Sequence, residues 1–142
     1  MKIFLDTSSI FKLYHQEEES AELENLFKFN NITQIFLSEI SKIEFSSALY
    51  KKVRTKDISE KQAQITLSLF EDDFKQFHFI STDSLVIEQA RFLLTKYGKL
   101  GLRTLDSIQL STCLLLQRHT DLFLTSDHLL KDFMIKEGLK TN

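Results

Sequence analysis

The chain has 142 residues, enough for one domain with an ordinary hydrophobic core and too few for two. Apolar residues make up 42% and charged residues 27%, which excludes a disordered chain, and thirteen Phe with no Trp make Phe the aromatic filler of the interior. Eighteen Lys and Arg against 20 Asp and Glu leave a formal charge of −2, which excludes a protein that coats nucleic acid through a uniformly basic surface. Local clusters remain, one of Lys51, Lys52, Arg54 and Lys56, the other of Lys96, Lys99 and Arg103.

With no Pro and only three Gly, the connections should be short and the helical content high. Residues 2–5 form a short apolar run that predicts a strand, and Asp6-Thr7-Ser8-Ser9 behind it is turn and helix-cap chemistry. Residues 17–29 predict a helix with an acidic first turn, and 34–37 a second strand. Ser38 is expected to cap a long helix reaching about Arg54. Ser59 should cap another, on which Ala63, Leu67, Phe70, Phe74 and Phe77 make one apolar stripe facing the core. Residues 78–80 predict a third strand. Thr82 or Asp83 then caps a helix to Tyr97, with Gly98 placed for a left-handed C-terminal cap. A loop over 99–104 leads into a helix over 105–118, a fourth strand over 122–124 and a last helix over 127–137 before Gly138. The tail from Leu139 is a candidate fifth strand.

Short apolar strands alternating with helices call for an α/β fold: a single three-layer α/β/α domain over residues 1–142, with a parallel sheet of four to five strands. The single Cys113 lies in an apolar stretch, so it reads as a buried thiol in a reducing compartment. Asp6 interrupts the only apolar run near the start, and no segment is long enough to span a bilayer, so the expectation is a cytoplasmic protein without membrane contact.

In such sheets the usable crevice lies beyond the carboxyl ends of the strands. Asp6 directly follows the first strand, and Asp127 follows the fourth across Thr125-Ser126. Glu44 shares a helical face with Ile40 and Ala48, and Asp106 with Leu110 and Cys113, so each carboxylate points where its neighbours are apolar and where no basic residue is expected. Two carboxylates about 4 Å apart would repel by roughly 4 kcal/mol at an effective dielectric of about 20. A divalent cation relieves that repulsion, and oxygen-only ligands select a hard ion such as Mg²⁺ or Mn²⁺. Held by carboxylates, such an ion activates water and stabilises charge on an attacked phosphate, which makes phosphodiester hydrolysis the reaction class. Thr7, Ser8, Thr125 and Ser126 are candidates to orient the acids from behind, and Lys12 and Arg103 to contact RNA phosphates.

Each acid also has a plain structural reading. Asp6 and Asp127 could be helix caps, and Asp106 a first-turn acid favoured by the helix dipole. Glu44 is expected too deep in its helix to cap. Asp83 follows a strand as well, but Ser84-Leu85 opens a regular amphipathic helix, so it reads as a cap alone.

The segments Ile3-Phe4-Leu5-Asp6-Thr7-Ser8, Ser38-Glu39-Ile40-Ser41-Lys42-Ile43-Glu44-Phe45, Leu102-Arg103-Thr104-Leu105-Asp106-Ser107-Ile108-Gln109-Leu110 and Phe123-Leu124-Thr125-Ser126-Asp127 resemble the four acidic motifs of PIN domains. The match is closest to the VapC-like toxins of toxin–antitoxin pairs, and it covers the whole chain. The resemblance implies a five-stranded parallel sheet between helices and Mg²⁺- or Mn²⁺-dependent cleavage of RNA, with Asp6, Glu44, Asp106 and Asp127 as catalytic metal ligands. It also implies a homodimer and a small VapB-like antitoxin. Gln109 stands where the family often has His, and Ser107 where it often has Ala. Neither position is a ligand in the family pattern.

A phosphotransferase of the haloacid-dehalogenase type also opens strand-Asp, but it needs a second Asp where this chain has Ser8. A response-regulator receiver needs a Lys after a late strand, where this chain has Asp127. A housekeeping RNA-processing nuclease and a catalytically silent PIN-like interaction module remain as alternatives.

Overall fold

Four apolar runs pair side by side in the computed structural model, which describes residues 1–18 and 20–142. They are β1 (Lys2–Leu5), β2 (Gln34–Ser38), β3 (His78–Ile80) and β4 (Leu122–Leu124), all parallel, in the order β3-β2-β1-β4. Among the described residues seven helices cover the sheet: α1 (Thr7–Phe11), α2 (Ser20–Phe29), α3 (Ser41–Arg54), α4 (Glu60–Asp72), α5 (Ser84–Tyr97), α6 (Thr104–Leu115) and α7 (His128–Lys136).

The alternation of side chains along each strand divides the core into two layers. Phe4, Phe36 and Phe123 face α5, α6 and α7, among Leu93, Leu110, Cys113, Phe133 and Met134. Their neighbours Ile3, Leu5, Leu37, Leu122 and Leu124 face the other way, onto Ile10, Leu23, Phe45, Leu49 and Phe70 of α1 to α4. On that side Phe45 stacks on Phe70 with ring centroids 4.0 Å apart. The apolar stripe of α4 joins this layer, though Phe74 and Phe77 do so from a 3₁₀ turn and the strand approach after the helix has ended at Asp72. The result is the three-layer α/β/α arrangement with a four-stranded parallel sheet. Cys113 is buried, as its apolar neighbours suggested.

Several boundaries differ from the sequence expectation, each for a local reason. Ser38 does not cap a helix: it ends β2, held in register with Ile80 of β3, while Glu39 N–H donates to Ile80 O. α3 therefore starts at Ser41, which places Glu44 in its first turn. α2 starts at Ser20, and of the acidic residues expected in that helix, Glu19 lies outside the described residues. Gly98 has an ordinary right-handed φ of −56° and enters a 3₁₀ turn; the left-handed residue is Gly101, at φ 105°. This later stop lets Leu102 drop into the core. α6 ends at Leu115, short of the expected 118. The tail makes one parallel bridge, Thr141 to Phe123, beside β4.

The chain leaves β1 for β2 and β3 on one side and comes back to place β4 on the other. The reversal lies between β1 and β4, so a crevice opens at their carboxyl ends, where Asp6 and Asp127 stand. Among the described residues no helix is long and apolar enough to cross a membrane.

Candidate active site

Asp6 ends β1 and caps α1, its Oδ1 accepting from Ser9 N–H at 2.9 Å. Ser8 Oγ donates to the same carboxylate at 2.7 Å and Thr125 Oγ1 donates to Oδ2, so hydroxyls from both adjoining strand ends hold the group. Ser126 enters through its backbone, donating N–H to Ser8 Oγ at 2.9 Å, and Asp127 N–H donates to Thr125 Oγ1 at 3.0 Å. The Asp6 side chain is almost wholly buried. Burial pushes its carboxyl up to about 6, against the pull of the hydrogen bonds from Thr125, Ser8 and Ser9.

Glu44 reaches across from α3. Its Oε1 accepts from Thr7 Oγ1 at 2.9 Å and from Gln109 Nε2 at 2.8 Å. Although it lies in the first turn of its helix, the carboxylate is thus tied to α1 and α6 and does not serve as a cap. Asp106 occupies the first turn of α6. Its carboxyl is raised above the ordinary range, first by burial, then by the charges of Asp127 and Glu44, with Arg103 opposing. Asp127 is exposed and caps α7 through Leu130 N–H at 2.9 Å. Capping does not take Asp6 or Asp127 out of the crevice: each caps a helix and also lines it. Asp83 caps α5 in the same way, through Val86 N–H, and lines no part of the crevice.

All four acids line one groove of about 1260 Å³, together with Thr7, Ser8, Ser126, Lys12 and Gln109. Arg103 does not line it and acts on Asp106 only through its charge. The groove continues along α3 past Ala48 to Lys51, Lys52 and Arg54. The expectation that no basic residue shares the face of Glu44 therefore fails, because Lys51 and Lys52 come round two turns later, at seven and eight residues on. Lys52 also pairs with Glu17 at 3.4 Å. Glu17, Glu18 and Asp57 line the same part of the groove, so the cations there stand among acids.

Among the described residues, no three His, Cys, Asp or Glu side chains lie close enough together to enclose a metal ion. The donor chemistry nonetheless fits a hard cation. Asp106 feels two neighbouring carboxylates that Arg103 only partly offsets, and every acid offers oxygen. An open set of this kind suits an ion such as Mg²⁺, which keeps several waters and takes one or two carboxylates directly.

A family model described as the PIN domain matches residues 3–134, a span that includes all four acids. No curated protein matches the sequence. Similar solved structures include FitAcB from Neisseria gonorrhoeae, at TM-score 0.73 and 14% identity over 98% of this chain and 95% of that one. VapC20 from Mycobacterium tuberculosis, described as a sarcin-ricin loop cleaving toxin, gives TM-score 0.71 and 13% identity over 92% and 94%. A toxin–antitoxin complex from Klebsiella pneumoniae gives 0.61 and 18% over 88% and 86%. At these identities the likeness is one of fold.

Proposed function

The chain belongs to the PIN-domain family, and from that membership we propose that residues 1–142 act as a single PIN domain, a Mg²⁺- or Mn²⁺-dependent endoribonuclease serving as the toxin of a toxin–antitoxin pair. The observation that carries this reading is the meeting of Asp6, Glu44, Asp106 and Asp127, from four separate segments, in one groove that also carries Lys51, Lys52 and Arg54 farther along, among Glu17, Glu18 and Asp57.

Asp6, Glu44, Asp106 and Asp127 are the residues that would hold the cation. The chemistry a bound Mg²⁺ or Mn²⁺ supplies is activation of water and stabilisation of the charge that develops on the phosphate. The protein's own part is orientation and binding. Ser8 and Thr125 keep the Asp6 carboxylate in place, and Thr7 with Gln109 keeps that of Glu44. Lys51, Lys52 and Arg54 offer charge to phosphates of the strand on one side of the scissile bond, with Lys12 beside the acids.

The direct test is incubation with total cellular RNA, in chelator and in millimolar Mg²⁺ or Mn²⁺. Cleavage should require the metal, and a folded protein that cleaves nothing in either ion overturns the reading. The cations of the groove have a test of their own. Replacing Lys51, Lys52 and Arg54 by Ala should weaken RNA binding for all sequences. It should also flatten the salt dependence, by about 0.7 in the log–log slope for each phosphate of a single strand that is no longer neutralised. An unchanged slope means that the RNA takes another path.

For the partner, a crowded acidic groove attracts an Arg, whose planar fork suits bidentate pairing with carboxylates. The chain is expected to copurify from its own host as a dimer with a small antitoxin that inserts such a side chain. Recovery as a lone monomer at micromolar concentration would contradict this.

A further inference from the structure

Behind Glu44 the core holds polar side chains where apolar ones would be expected. Thr7 of α1, Ser41 of α3 and Gln109 of α6 are 9%, 0% and 1% exposed. Gln109 Nε2 lies 3.1 Å from Thr7 Oγ1 and 3.2 Å from Ser41 Oγ, and Thr7 Oγ1 lies 3.0 Å from Ser41 Oγ. The donors of this cluster converge on one atom, Glu44 Oε1, which receives both Thr7 Oγ1–H and Gln109 Nε2–H. Gln109 Oε1, in contrast, is buried and meets no donor among the described residues. Turning the amide over would set that oxygen against Glu44 Oε1, acceptor against acceptor. An unsatisfied buried carbonyl is costly, so the carboxylate dictates the orientation of the amide at the expense of the amide's own bonding.

We propose that Gln109 is a positioning residue for the metal site, a role that rests on the nuclease reading above. With Thr7 it anchors one oxygen of Glu44, leaving Oε2, which takes no hydrogen bond from the described residues, to meet a cation in the groove. Glu44 sits on a different helix from Gln109 and 65 residues away in sequence. Without the anchor its flexible side chain would sample rotamers that do not serve the groove. The competing role is that of a polar plug tying α1, α3 and α6 together, which would matter for stability and not for the metal.

The two roles separate in Mn²⁺ binding measured on the protein without RNA, by the loss of the free-ion electron paramagnetic resonance signal. Gln109→Met keeps the length of the side chain and removes the donor. It should weaken Mn²⁺ binding roughly ten- to a hundredfold, the usual effect of losing a partner behind a ligand, and lower kcat more than it raises KM for RNA. Gln109→His, whose ring N–H can donate to the same oxygen, should recover much of that binding. Thr7→Val, which removes the other donor, carries the same expectation if Gln109→Met does not fold. Mn²⁺ affinity equal to wild type in a variant that melts at lower temperature would assign Gln109 to the plug and overturn the proposal. A wild-type protein that binds Mn²⁺ but cleaves no RNA would sink the nuclease reading and leave the positioning role standing. One that binds no Mn²⁺ at all would sink both.

Discussion

Asp106→Asn is expected to cut RNA cleavage at least about tenfold while leaving the circular dichroism of the fold unchanged. Of the four acids, Asp106 gives the cleanest test. Asp6 and Asp127 also cap helices, and Glu44 is bound into the Thr7–Gln109 cluster, so changing any of them disturbs structure as well as charge. Asp106 takes no hydrogen bond among the described residues, yet it is the acid whose ionisation responds to both Asp127 and Glu44. Asn keeps its shape and removes that coupling. Asp6→Asn, Glu44→Gln and Asp127→Asn should each cost at least as much. Asp83→Asn is the control. It caps α5 with a 3.0 Å bond matching the 2.9 Å bond of Asp127, but lies away from the groove, so its rate should equal wild type. A folded Asp106→Asn protein with wild-type activity would remove Asp106 from the site.

That Asp83 and Asp127 differ in this way shows where reasoning from the sequence stops. Both are acids that follow a strand and cap a helix, and the amphipathic helix behind Asp83 marks it as a cap alone without saying why Asp127 also lines the groove. What separates them is strand order: β4 lies against β1, whereas β3 is two strands away at the sheet's edge. The strands themselves are legible, because short apolar runs bounded by cap residues leave few alternatives. Ser38 misleads because its hydroxyl suits a cap, while its pairing with Ile80, 42 residues on, cannot be seen locally. Suspicion of Glu44 on the ground of its depth in the helix therefore rests on a start two residues too early. Its apolar surroundings are the sounder ground. Gln109 is not legible as a group behind the site, since its partners come from α1 and α3 and only the packed fold brings them together. Lys51 and Lys52 are visible as a cluster, but counting one turn from Glu44 instead of two hides the face that they share with it.

Without divalent metal, Asp106→Asn should melt at a higher temperature than wild type, and adding Mg²⁺ or Mn²⁺ should stabilise it less. Folding buries the Asp106 carboxylate and brings it towards Asp127 and Glu44, and both effects hold its ionisation above the ordinary range. Asp6, buried deeper, is pushed up to about 6 from an ordinary 3.8. In each case the folded state binds the proton more tightly than the unfolded one. In chelator, therefore, the stability that Asp6 contributes is full below about pH 4 and is lost as pH rises through about 6, and that of Asp106 is likewise lost as pH rises through its own raised range. Removing the charge of Asp106 removes its burial cost and its repulsion from two neighbours, against the smaller attraction of Arg103 and about 0.3 to 1 kcal/mol lost at the α6 dipole. A bound cation reverses the balance for wild type by mass action, as RT ln(1 + [L]/Kd), and the variant, short of one ligand, gains less. Thermal melts of both proteins at pH 7.5, in chelator and in a millimolar Mg²⁺ series, read both halves. The same chelator melts at lower pH should narrow the gap between them, because the raised Asp106 carboxyl of the folded wild type then takes up its proton. Equal metal-induced shifts, or an apo variant clearly less stable than wild type with native dichroism, would make Asp106 a structural first-turn acid and not a metal ligand.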